Sequence, residues 1–153
     1  MFSESDNHEE MDRFLNPVPL SSERDHYLNV LVTCSTVPAL TVLTRIREVI
    51  IAGIHIHGQR EMLRPWDDDI SETLFSKWWV KQFGGNDDTE SSVAFLFHGF
   101  DTGREWRWHS AEVIDHSRIQ LQLWVSAFPV SGFDSLRAAF LLLGADSVEQ
   151  ELQ

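Results

Sequence analysis

The sequence is poor in the residues that staple, cradle or anchor a chain. It contains one cysteine, Cys34, so an internal disulfide is excluded and a reducing compartment is favoured. Basic residues are scarce: 12 Lys and Arg stand against 24 Asp and Glu, a formal charge of −12. Nucleic acid is therefore not the expected partner, because phosphate binding rests on cationic side chains releasing counterions. The eight glycines nowhere form a phosphate-cradling loop, a Gly-x-Gly-x-x-Gly turn or a Gly-x-Ser-x-Gly elbow. Nucleotide hydrolysis, dinucleotide binding and acyl transfer thus lack their signatures, and no cofactor is expected. The longest apolar runs, Val49 to Ile54 and Ala138 to Leu143, fall far below the roughly 18 residues of a membrane span. With an acidic, polar start in place of a signal peptide, the expectation is a cytoplasmic protein with no membrane partner.

What is present suits a single domain. At this length a folded chain buries roughly two-thirds of the surface its unfolded form exposes, so a core forms without staples. Residues 1–25 carry seven acids against two bases, and residues 1–22 read as a flexible acidic leader ahead of a domain spanning 23–153. Tyr27 to Cys34 alternates as a strand with Leu28, Val30, Val32 and Cys34 inward. There Cys34 is expected to act as a small buried hydrophobe rather than a nucleophile. Thr36 and Pro38 open a helical pattern that runs to Gly53, although its β-branched content also permits a strand. From Asp69 or Ser71, a wide apolar face of Ile70, Leu74, Phe75, Trp78, Trp79 and Phe83 predicts a helix ending at Gly84-Gly85. Ser92 to Phe100 and Arg104 to His109, separated by Asp101-Thr102-Gly103, read as a hairpin. Arg118 to Ala127 has the cleanest period-two pattern, with Ile119, Leu121, Leu123 and Val125 facing a core and Gln120, Gln122 and Trp124 facing solvent. Phe133 to Leu143, with Asp134 as a candidate cap, reads as a closing helix. The class is α+β: an antiparallel sheet of four to five strands packed by two to three helices.

Three groups of residues offer chemistry. His55 and His57, two apart on a short strand, would share a face, and Glu61 folding back would complete a metal-ligand set. The segment His55-Ile56-His57-Gly58-Gln59-Arg60-Glu61 resembles part of the first cupin motif, but the glycines around it and the second motif are missing. This metal-dependent reading is the alternative; two solvated histidines on a strand are the simpler one. Acids cluster before the tryptophan-rich helix as Asp67, Asp68 and Asp69, where the macrodipole favours them, and after it as Asp87, Asp88 and Glu90, where it does not. The second cluster is thus a solvated loop or a surface kept for a cationic partner. Trp124, in the polar phase of its strand, either lies beneath a second packed layer or stands on a binding face. An exposed half-polar sheet of this kind also admits pairing with a second copy.

From Pro65 to about Leu143 the order is an acidic Trp66-Asp67 segment, the Ser71 to Phe83 helix with its Trp pair, an apolar strand at Val93 to Phe97, the Trp106/Trp108 strand, the Ile119 to Val125 strand and a closing helix. This pattern resembles small acidic immunity proteins encoded beside bacterial polymorphic toxins, including those of contact-dependent inhibition systems. The resemblance implies a binding protein without catalysis of its own, which neutralises one cognate toxin by tight complex formation. Many such toxins are basic, and a −12 partner would be steered to them electrostatically. Asp67, Asp68, Asp69, Asp87, Asp88 and Glu90 would then meet cationic side chains, with Trp124 as an apolar anchor.

Overall fold

A computed structural model describes residues 4–22, 26–59, 68–85, 89, 93, 97, 105–126, 130 and 132–151. Their elements run α1 (Glu4–Leu15), β1 (Tyr27–Thr33), α2 (Ala39–Gln59), α3 (Asp68–Phe83), β2 (Trp106–Asp115), β3 (Arg118–Val125), α4 (Phe133–Leu142) and β4 (Ser147–Gln150). The four strands form one sheet in the order β2-β3-β1-β4, with every neighbouring pair antiparallel. The class is α+β.

The inner face of the sheet follows from the period-two patterns. Leu28, Val30 and Val32 of β1 alternate inward with Ile119, Leu121, Leu123 and Val125 of β3, and all are buried. Trp106 and Trp108 join them from β2, opposite Val125 and Leu123. Over this face lies α2, whose buried Ala39, Val42, Leu43, Ile46, Val49, Ile50 and Ile56 recur at three- and four-residue steps, the spacing that keeps one helical stripe on the core. Leu136, Ala139 and Phe140 of α4 and Phe75 and Trp79 of α3 complete the core. Cys34 is buried as expected.

Several expectations are corrected. The helix expected to stop at Gly53 continues to Gln59. Gly53 is itself buried and lies on the stripe between Ile50 and Ile56, so its intrinsic cost of about 1 kcal/mol is offset by apolar burial on both sides. The short strand expected at Ile54 to Gly58 is therefore helix. Val93 and Phe97, expected in a strand, are helical and buried. The apolar run in which they lie fits a buried helix as well as a strand. The hairpin lies elsewhere: β2 pairs with β3 across His116-Ser117, with Ser117 amide and hydroxyl donating to the Asp115 carboxylate at 3.0 and 3.1 Å. Asp134 sits inside the first turn of α4 instead of capping it; the cap position is Gly132, at φ 85°. β4, four residues long, was not expected. It follows Gly144, whose φ of +114° turns the chain where an added Cβ would lie 2.5 Å from Val37 Cγ2.

The acidic leader also has a place. α1 lies along the outer edge of β2, where an edge strand presents unpaired amides and carbonyls. The Glu10 carboxylate, fully buried, accepts the Trp108 amide at 2.5 Å, and Arg13 donates to the Trp108 carbonyl at 3.2 Å. Phe14 packs on the Trp108 ring with centroids 5.1 Å apart. One turn of helix thereby supplies both hydrogen bonds that a neighbouring strand would have made to Trp108. Beyond α1, the Ser110 hydroxyl donates to the Val18 carbonyl. Ser21 exchanges two bonds with the Gln122 side chain, of 2.7 and 2.9 Å.

Candidate interaction surface

The outer face of β3, expected to be wet, is divided. Gln122 is 1% exposed, held by Ser21 and by Asn29 Oδ1 at 3.2 Å, because residues 18–21 cross this half of the sheet. Trp124 beside it is half-buried. The Arg107 guanidinium lies 4.5 Å from its ring centroid, and His26 stacks at 6.4 Å. Arg107 in turn meets Glu9 of α1 at 3.1 Å. Of the two expectations for Trp124, neither is met in pure form: its ring is partly covered, by a cation and an imidazole rather than by an apolar layer.

Beyond residues 18–21, toward the hairpin, the described residues of the outer face are exposed or half-buried. The register aligns Glu112 with Gln120, Gln120 with Leu31 and Leu31 with Glu149, a row crossing all four strands with a carboxylate at each end. Glu112 and Glu149 are exposed. The next row toward the hairpin runs through Arg118, Thr33 and Ser147. There Asp115 grips the Arg118 guanidinium at 2.8 and 2.7 Å, and that pairing holds the Asp115 carboxyl at about 2, below its ordinary 3.8.

Charge is left over throughout. Asp12, Glu48, Glu112, Asp146, Glu149 and Glu151 are exposed and form no ion pair with a described residue. Of the acids singled out in the sequence, Asp67, Asp87, Asp88 and Glu90 lie outside the described residues; Asp68 and Asp69 open α3, their side chains outside the description. The metal-ligand set changes most. His55 and His57 lie on α2, not on a strand, and residues two apart on a helix point about 200° apart around its axis. A helix does not give these two positions the shared face that a strand would. His55 is exposed, and Glu61 lies outside the described residues. Among the described residues no group of three or more His, Cys, Asp or Glu side chains is placed to hold a metal ion, and no helix is long and apolar enough to cross a membrane.

Two concavities lie on the helical side. One, of about 550 Å³, is lined by Leu40, Thr44, Arg45, Glu48, Phe83 and Leu142 among others. The second, of about 380 Å³, is lined by Glu48, Ile51, Ala52, His55, Ile56, Trp78 and Gln82. They share Glu48 and Gln82. Arg45 is turned away from a ligand role, donating to the Leu143 carbonyl at the end of α4 at 3.0 Å. The larger concavity is lined mainly by polar groups and the smaller mainly by apolar ones, with the Glu48 carboxylate common to both.

His109, at an irregularity of β2, has its ring 4.7 Å from Tyr27. Its buried Nδ1 meets no hydrogen-bond partner among the described residues. Burial, with the Arg13 charge adding, pushes the imidazole below its usual value. Burial, with Asp146 adding, pushes the Cys34 thiol up, consistent with an unreactive core residue. The residues that sequence reasoning missed are Glu10, Arg107 and Glu112. A signal for the first exists, since Glu10, Arg13 and Phe14 fall on one helical face. Compared with protein-family models, with curated proteins and with solved structures, the chain matches none.

Proposed function

We propose that this chain is a binding protein that neutralises a basic protein toxin by forming a tight complex with it. The observation that carries the reading is the surplus of uncommitted carboxylate. Six exposed acids have no ionic partner among the described residues, on a chain of net charge −12. Such a charge destabilises a compact state by self-repulsion and raises the association rate with a cation. The open half of the sheet's outer face, edged by Glu112 and Glu149, is the described surface best suited to the partner. The acids before and after α3 in the sequence, Asp67 to Asp69 and Asp87, Asp88 and Glu90, add to the negative charge a cationic partner would meet, and the half-buried Trp124 stands on the same face beyond the covered Gln122. The toxin-neutralising form of the reading rests on the resemblance of the Pro65 to Leu143 pattern to immunity proteins.

The test is to co-express the chain with the polypeptide encoded immediately upstream in the source genome and to measure the complex by calorimetry. A one-to-one complex is expected whose affinity falls steeply between about 50 and about 300 mM salt. Replacing Asp87→Asn, Asp88→Asn and Glu90→Gln together is expected to weaken it roughly tenfold or more. Failure to form a complex, or an affinity indifferent to salt and to these replacements, overturns the proposal.

A further inference from the structure

β2 is an edge strand that is only half covered. Its first half is sealed by α1, through Glu10, Arg13 and Phe14 at Trp108, and by Val18 at Ser110. Among the described residues nothing seals its second half. Glu112, Val113, Ile114 and Asp115 are all exposed, with Val113 at 38% and Ile114 at 49%. The direction of the backbone groups follows from the ladder. Val125 N–H bonds the His26 carbonyl of the segment leading into β1, whereas Ser126 N–H bonds the Glu105 carbonyl beside β2. Even-numbered residues of β3 therefore turn to β2. Their partners on β2, Glu112 opposite Gln120 among them, turn inward, and Ala111 and Val113 turn their N–H and C=O groups outward. Among the described residues nothing bonds to that outward edge. The segment is nevertheless firm, because the turn that ends it is fixed: Cys34 N–H bonds the Ser117 carbonyl at 2.7 Å and Ala39 N–H the His116 carbonyl at 2.9 Å.

The other edge of the sheet does not offer the same opportunity. β4 has four residues, and its Val148 carbonyl accepts Arg137 Nε at 3.1 Å. The regular part of the β2 edge is short, because the ladder shifts register between Val113 and Asp115; Ala111 and Val113 keep their outward groups, and the exposed Glu112 is a charge of the kind that guards natural edges against promiscuous pairing and so selects what can join.

We propose that Ala111–Asp115 is a strand-addition site, at which an extended, cationic segment of the partner joins the sheet antiparallel or parallel to β2. This rests on the cationic-partner reading and names where and how that partner engages. The charge favours such an occupant over a second copy. Glu112 has no partner among the described residues and lies next to the edge, where a lysine or arginine on an added strand would face it. A second copy of this chain pairing about Val113 and Ile114 would set Glu112 against Asp115 of the other molecule, a like-charge contact that destabilises cross-strand pairs. The apolar side chains of the added strand would meet Val113 and Ile114, and its main chain would bond Ala111 and Val113, the division of labour general to strand addition.

The test uses the full chain, labelled with ¹⁵N, and a capped peptide of about nine alternating lysines and valines; a glutamate-valine peptide of equal length is the control. The expected result is that the lysine peptide shifts the amides of Ala111 to Asp115 most and the glutamate peptide leaves them unmoved. Glu112→Lys is expected to raise the Kd for the lysine peptide at least fivefold. Val113→Pro removes an outward N–H at an edge position that tolerates proline, and is expected to abolish binding while the rest of the spectrum is retained. Shifts confined to other acidic surfaces, binding unchanged in Glu112→Lys, or concentration-dependent dimers broadening the same amides would each overturn the site. Binding of the upstream-encoded polypeptide that survives both replacements would overturn the site while leaving the binding function in place; loss of that binding in the wild-type chain would remove the function itself.

Discussion

Replacing Glu10 by alanine tests whether α1 is an integral part of the sheet edge. The carboxylate is fully buried and takes the Trp108 amide at 2.5 Å. A hydrogen bond to a charged acceptor contributes about 1.5–3 kcal/mol, and a buried donor left unmet costs about 1–3 kcal/mol. Glu10→Ala removes the first and leaves the second, and because the two describe one exchange they are not added. The loss is about 2–3 kcal/mol, equivalent to a fall in Tm of roughly 4–12 °C for a domain of this size. Glu10 covers the Trp108 amide directly, so amide hydrogen exchange at Trp108 is the direct assay, with acceleration of roughly 30- to 150-fold expected from the same energy. Glu10→Gln keeps an acceptor oxygen and should lose less than half as much. A Trp108 amide that exchanges at the wild-type rate in Glu10→Ala would refute the reasoning and reduce α1 to a passive neighbour.

Gly144→Ala should cost about 2 kcal/mol or more, read by urea denaturation, since φ is +114° and the new Cβ would meet Val37. Cys34 should resist iodoacetamide until denaturant is added, because burial and the nearby Asp146 hold its thiol protonated; rapid labelling of the folded chain would contradict its placement. Asp115 sits at about 2 in the folded state against 3.8 unfolded, so its contribution is fully present above about pH 4 and is lost as pH falls through about 2. Arg118→Gln should flatten that part of the pH profile, and an unchanged profile would sink the assignment. His109, held below 6.5 when folded, contributes stability that is complete above that value and declines as pH falls through its lowered folded-state value. A Tm equal at pH 7.5 and pH 5 in the wild type relative to His109→Gln would contradict it.

Much of the architecture could be read from residue patterns. Where one face alone is buried, the period declares itself: Leu28, Val30 and Val32 gave β1, and Ile119 to Val125 gave β3. Phe75 and Trp79 marked α3, and Gly84 marked its end. Errors arose where burial or context overrode the local signal. Gly53 looked like a stop because its lack of a side chain is visible, whereas the space it occupies against the sheet is not. Val93 and Phe97 lie in a run apolar enough for either period. Asp134 had the chemistry of a cap, but a left-handed Gly132 took the position. The site was less legible than the fold. Glu112 becomes notable only when the register sets it on an uncovered edge, and Gln122 looked wet until Ser21, a hundred residues earlier in sequence, was found to cover it. The two histidines were read as strand residues, and they lie on α2 because the helix runs on past Gly53.

The strand order carries a consequence for how the chain is made. β1 sits between β3 and β4, with Val30 opposite Leu121 on one side and Gln150 on the other. During synthesis β1 emerges long before either neighbour, and at translation rates of about 5–20 residues per second the interval is on the order of 5–20 s. Through that time its valines have helices beside them in the chain but neither partner strand, so the sheet closes late and slowly, as distant pairings dictate.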